Sequence, residues 1–174
     1  MPKTEIDLHP VDFITVGTIG PRGQRTFHLQ AGAEDKLVSF TLEKEQAWAL
    51  SEAVREFLED LDNRYEDKTD VEMAALDMDL REPIQPLFRI AQMGLGFDEA
   101  ERRIILIAQE LQQGSSEFED DVDVDIDDDA DDAGVVRMWA TREQMMALSL
   151  QAMYVVQSGR PSPKQNGRIT YYWS

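Results

Sequence analysis

The 174-residue chain contains no cysteine and only two histidines, His9 and His28. The first absence excludes a disulfide framework, a thiolate nucleophile and a Cys-ligated zinc. There is no run of lysine or arginine and no apolar run near the roughly 20 residues that span a bilayer. The start, MPKTEIDLHP, has neither a signal-peptide apolar stretch nor a twin-arginine motif. The reading is a cytoplasmic protein. The formal charge of −18 is mostly local, because residues 117–132 (EFEDDVDVDIDDDADD) carry eleven acidic side chains and no basic one, which leaves −7 for the rest. A field of that sign repels nucleic acid and anionic lipid surfaces, so neither is expected as a partner.

A repeat is what the chain does have. LVSFTLEKEQAWALS at 37–51 returns at 135–149 as VVRMWATREQMMALS, identical at Val38/Val136, Glu45/Glu143, Gln46/Gln144, Ala49/Ala147, Leu50/Leu148 and Ser51/Ser149. Each copy reads as a strand running into a helix, and each is preceded by two apolar runs around a glycine-containing turn. The expected fold is therefore α+β: a duplicated β-β-β-α repeat sharing one core across a pseudo-two-fold axis. It has a mostly antiparallel six-stranded sheet, or a partly closed barrel, and two main helices. The expected organisation is one domain over 1–174, with repeats at 12–62 and 87–158, a linker at 63–86, an acidic loop at 111–134 and a C-terminal tail at 159–174.

Locally, Gly20-Pro21-Arg22-Gly23 marks the first hairpin turn and Gly94-Leu95-Gly96-Phe97-Asp98 the second. Phe27, Leu29 and Ala31 alternate with His28 and Gln30, which places His28 on the polar, half-exposed side of a strand. Ala47, Leu50, Val54, Phe57, Leu58 and Leu61 form one stripe of a helix from Glu43 to about Asp62. A short helix is expected at Val71–Met78. Thr141-Arg142-Glu143-Gln144 has the capping-box pattern at the start of a second helix that reaches Ser158.

Few residues carry chemistry. Asp121, Asp123, Asp125 and Asp127 alternate as oxygen ligands do, but an EF-hand loop begun at Asp121 has Ile126 where glycine is needed and Asp132 where glutamate is needed. That insertion reads as a solvated, disordered acidic loop, and no metal is expected. Glu45 and Glu143 recur at the helix starts, where the helix dipole accounts for them. No catalytic residue and no cofactor follow from the sequence. The leading reading is a non-enzymatic binding or adaptor module acting with a partner protein, and a homodimer is compatible with it. The alternative is a small-molecule-binding protein or enzyme, with Arg25, Gln30, Arg89 and Glu110 meeting an anionic or phosphorylated metabolite in a cleft between repeats. Tyr171, Tyr172 and Trp173 offer too much apolar surface to leave in water and are expected to pack on the domain or on a second copy.

The runs DFITVGTIG at 12–20, GQRTFHLQA at 23–31, LEKEQ at 42–46, FRIAQMGLGFD at 88–98 and VVQSGRP at 155–161 together resemble the bacterial DUF3090 family of uncharacterised proteins. The resemblance covers nearly the whole chain outside the two linkers. It implies no activity, beyond the occurrence of family members beside a lipid-kinase-like and a histidine-phosphatase-like protein. Many relatives continue past Gly-Arg-Pro with a cysteine-rich tail of zinc-knuckle type. Here Ser162 to Arg168 contains neither Cys nor His, so zinc is not carried over.

Overall fold

The computed structural model describes residues 4–21, 23–112 and 133–158. The acidic run, the C-terminal tail and Arg22 of the first turn lie outside the described residues, and with them the expectations placed on them. In chain order the elements are β1 (Glu5–Leu8), β2 (Phe13–Ile19), β3 (Thr26–Ala33), β4 (Lys36–Leu42), α1 (Lys44–Tyr65), β5 (Pro86–Asp98), β6 (Arg103–Glu110), β7 (Val135–Ala140) and α2 (Arg142–Ser158).

The strands form one sheet in the order β1-β7-β6-β5-β4-β3-β2. Two antiparallel meanders, β2-β3-β4 and β5-β6-β7, lie side by side and join through the parallel pair β4–β5. β1 adds a second parallel pair on β7. The α+β class is as expected, but the sheet has seven strands and is mixed. Glu5–Leu8 was missed because its acidic–apolar alternation lasts only four residues, the short end of a strand signal; Leu8 alone is fully buried, and Arg137 holds the strand by ion pairs to Glu5 and Asp7.

The sheet is not closed, yet it must curl. A flat seven-stranded sheet holds its edges roughly 29 Å apart, while the five residue steps from Leu8 in β1 to Phe13 in β2 reach about 18 Å at most. The corner between them bonds to both sides, with Val11 N–H donating to the Trp139 carbonyl at 2.9 Å and Asp12 N–H to the Gly32 carbonyl at 2.6 Å.

On the inner face two rows run across the strands, Val16-Leu29-Phe40-Phe88 and Leu95-Leu106-Met138-Leu8. They form one core with Leu50, Val54, Leu58 and Leu61 of α1 and Met145, Leu148 and Ala152 of α2. Period-two alternation in the strands and three- to four-residue spacing in the helices direct these side chains to that core. The helices run antiparallel: Asp62 near the end of α1 meets Arg142 at the start of α2 at 3.0 Å, and midway Ser51 Oγ donates to the Ser149 carbonyl at 3.0 Å.

Three local expectations need correction. Gly94–Asp98 is strand, not turn; the chain reverses at Glu99–Arg102, where Asp98 Oδ1 accepts the Glu101 N–H at 3.1 Å and Arg102 takes φ 56°. The short helix at Val71–Met78 is only a 3-10 turn, Met73–Ala75. His28 does lie on the outer face, but at 6% exposure it is buried rather than half-exposed. The reason is a strap, residues 77–83, laid across the outer face of β2, β3 and β4. Thr15 Oγ1 donates to the Met78 carbonyl at 2.6 Å, and Leu80 sits over Gly17, where an added Cβ would stand 2.8 Å from Leu80 Cγ.

Candidate functional site

The four residues singled out for an anionic ligand divide into two groups. Arg25 and Arg89 line one polar groove of about 430 Å³ with Thr26, Thr41 and Lys44, at the start of α1. The register that pairs Thr41 with Arg89 brings the second half of the chain to this edge. Arg89 is ion-paired with Glu43, so one of the three cations there is already neutralised. Gln30 does not line that groove. It is wholly buried, with its amide donating to Ser39 Oγ at 3.1 Å and to the Arg81 carbonyl at 2.7 Å while its oxygen accepts the Arg81 N–H at 2.7 Å. It is the clamp of the strap. Glu110 is also outside the groove, its carboxylate accepting the Gly134 N–H at 2.9 Å across the ends of the β6–β7 connection. Alternation alone placed Gln30 on the polar side of a strand; the side of that strand on which the strap would lie was not in the local pattern.

Sequence reasoning missed a cluster at the curled corner. His9 stacks on Trp139 with ring centroids 4.2 Å apart and planes within 5°, and its Nε2 lies 2.8 Å from Glu101. The Trp139 indole N–H donates to Asp98 Oδ2 at 3.2 Å. The Asp98 carboxyl is held below its ordinary value, first by the Glu101 backbone N–H and then, against some desolvation, by the indole. His9, Asp98 and Glu101 are the group among the described residues whose donor atoms approach as metal ligands would. Those atoms are already engaged, however, and Arg103 lies 3.5 Å from Glu101. The arrangement locks the N-terminal corner to the β5–β6 turn. Its signal in the sequence was faint, since the partners are 92 and 41 residues apart.

A further groove is apolar and was not expected from local patterns. It lies between α1 and β5, holds about 490 Å³, and has Ala49, Leu50, Ala53 and Phe57 on one wall and Met93, Gly94 and Leu95 on the other. Gln46, Glu56 and Asp60 stand at its rim. Among the described residues it contains no nucleophile beside a general base. By contrast α2 lies directly on β2 with Ala147 and Leu148 buried, whereas α1 stands away from β5 and leaves Ala49 exposed.

A family model described as "Protein of unknown function (DUF3090)" matches residues 6–167. The chain belongs to the DUF3090 family. The match takes in both meanders, both helices and the corner, so the grooves above are features of a DUF3090 domain rather than of an appended segment. No curated protein and no solved structure matches the chain, so DUF3090 membership carries no activity with it. No helix among the described residues is long and apolar enough to cross a membrane.

Proposed function

We propose that this DUF3090 protein is a non-enzymatic binding module, built by tandem duplication of a β-β-β-α unit and acting with a partner protein through the groove between α1 and β5. Several hydrogen bonds support the duplication. Gln46 accepts the Glu43 N–H at 2.7 Å and donates to the Ile90 and Ala91 carbonyls; Gln144, 98 positions later, accepts the Thr141 N–H at 2.9 Å and donates to the Val11 and Asp12 carbonyls. Those carbonyl pairs are themselves both 79 positions apart. Equivalent helices therefore reach equivalent strand starts, each in the other unit, about a pseudo-two-fold axis that passes near Ser51 and Ser149. The axis runs along the curled sheet, which is why a parallel pair, β4–β5 or β7–β1, stands at each junction.

The observation that carries the binding role is the difference between the two helix–strand contacts. Where α2 meets β2, Ala147, Ile14 and Val16 are buried to 3% exposure or less. Their counterparts where α1 meets β5 are an exposed Ala49 and half-buried Met93 and Leu95. A volume of about 490 Å³ is in the range of ligand sites, and its walls are apolar with no catalytic constellation. The second reading, an anionic or phosphorylated metabolite, is favoured by the convergence of Arg25, Lys44 and Arg89 alone.

One experiment separates them. Affinity purification from the native cell with the full chain, Ala53→Trp and Arg25→Glu should recover a protein partner with the first and third and lose it with the second, whose indole fills the groove. Loss with Arg25→Glu and retention with Ala53→Trp would move the site to the polar groove. No partner with any of the three would end the adaptor reading.

A further inference from the structure

The strap covers the outer face of only one meander. Under it lie Thr15, Gly17, His28 and Gln30, with Leu80 seated over Gly17 and the Arg81 guanidinium 3.7 Å above the Phe13 ring. On the outer face of the other meander the corresponding row is Gly96-Ile105-Trp139, flanked by Gly94 and Ile107. Here a Cβ built on Gly94 meets nothing within 4 Å, and one on Gly96 meets only Ile105 Cβ at 3.9 Å. Ile105, Ile107 and Val135 are only half-buried, by their neighbours in the sheet, while Trp139 closes one end of the row under the stacked ring of His9. The same glycine that admits Leu80 in the first half thus floors a vacant apolar slot in the second. Around the slot stand the carboxylates of Glu5, Asp7, Asp98 and Glu101 against the guanidiniums of Arg103 and Arg137.

We propose that this face is the docking surface for the chain's own C-terminal segment, Arg168–Trp173, which takes on the second meander the place that the strap takes on the first. The inference rests on the duplication reading for the equivalence of the two faces, and on two further observations. The strap is the segment that follows α1, and residues 159–174 are the segment that follows α2. The chemistry is also complementary. Residues 159–174 carry Arg160, Lys164 and Arg168 and no acidic side chain, together with Ile169, Tyr171, Tyr172 and Trp173. An aromatic ring over a glycine gains the area that glycine leaves uncovered, and Arg168, the cation of the docking segment, suits a face ringed mainly by carboxylates.

The test uses isoleucine δ1-methyl NMR on the full chain and on a chain ending at Arg168. Stacked aromatic rings shift the methyls beneath them, so removal of residues 169–174 should move the Ile105 and Ile107 signals and leave that of Ile104, fully buried on the inner face, where it was. The triple substitution Tyr171→Ser, Tyr172→Ser, Trp173→Ser should reproduce the change without shortening the chain. Signals of Ile105 and Ile107 that are identical in all three proteins would overturn the proposal. So would shifts that appear only with rising concentration together with a dimer mass in light scattering, since the face would then be covered by a second copy. Neither result bears on the α1–β5 groove, which has its own test.

Discussion

His28 shows how one side chain reports what covers it. The strap leaves its Nδ1 buried with no hydrogen-bond partner among the described residues, and burial lowers its pKa below 6.5, which keeps the imidazole neutral. The unfolded chain, with its histidine near 6.5, then binds more protons than the folded one as pH falls below that value. Stability contributed by the neutral ring is present above about pH 6.5 and is lost as pH falls toward the lowered folded value. The melting temperature should therefore decline between pH 7 and pH 5, and His28→Gln should flatten that part of the curve. An equally steep decline in the variant would assign it to other groups. Asp62 acts lower on the scale: its carboxyl is depressed against desolvation, chiefly by the hydroxyl and backbone N–H of Thr69 and by Arg142, so its share is lost only as pH falls below the ordinary aspartate range. Sequence alternation placed His28 on the outer face correctly. It could not show that the face is covered, because the strap's hooks, Thr15 to Met78 and Gln30 to Arg81, connect residues 63 and 51 apart.

At the scale of elements, the helix starts were the most legible part of the chain and also carry more than the sequence pattern shows. Thr141 and Gln144 form the expected box, with the Gln144 N–H on Thr141 Oγ1 at 3.0 Å. What the pattern could not show is that the same glutamines reach carbonyls of the facing strand, so each closes a helix end and fixes that end to the other half. Gln144→Ala removes both and should cost on the order of 1–2 kcal/mol. Gln144→Glu keeps an acceptor for the Thr141 N–H but turns a carboxylate toward the Val11 and Asp12 carbonyls, and should be no more stable than the alanine variant. If glutamate restores full stability in urea titration, only the cap matters. The second hairpin was misread for a related reason. Gly94 and Gly96 have the composition of a turn, yet glycine in a strand also marks a place kept clear on one face, and the two meanings are identical in a one-dimensional pattern.

For the whole molecule, the repeat seen in fifteen residues fixes less than the curl of the sheet. Each meander hands its cover to the other: α2 lies on β2, the α1 cap holds Ile90 and Ala91, and β1, from the first half, supplies the parallel neighbour of β7. Buried side chains from both halves make one cluster rather than two. A half alone would expose the apolar row that its partner covers and leave an unpaired strand at the junction. Residues 1–66 and 67–174 expressed separately should accordingly lack a cooperative melt and give collapsed amide NMR spectra. Co-expressed, they should pair and recover a dispersed spectrum, because the break falls in the connection after α1 and the strap, carried by the second fragment, is held on the first meander by its own hooks. A cooperative melt for either half alone would mean that the unit folds by itself, and that the shared core is an association of two finished domains.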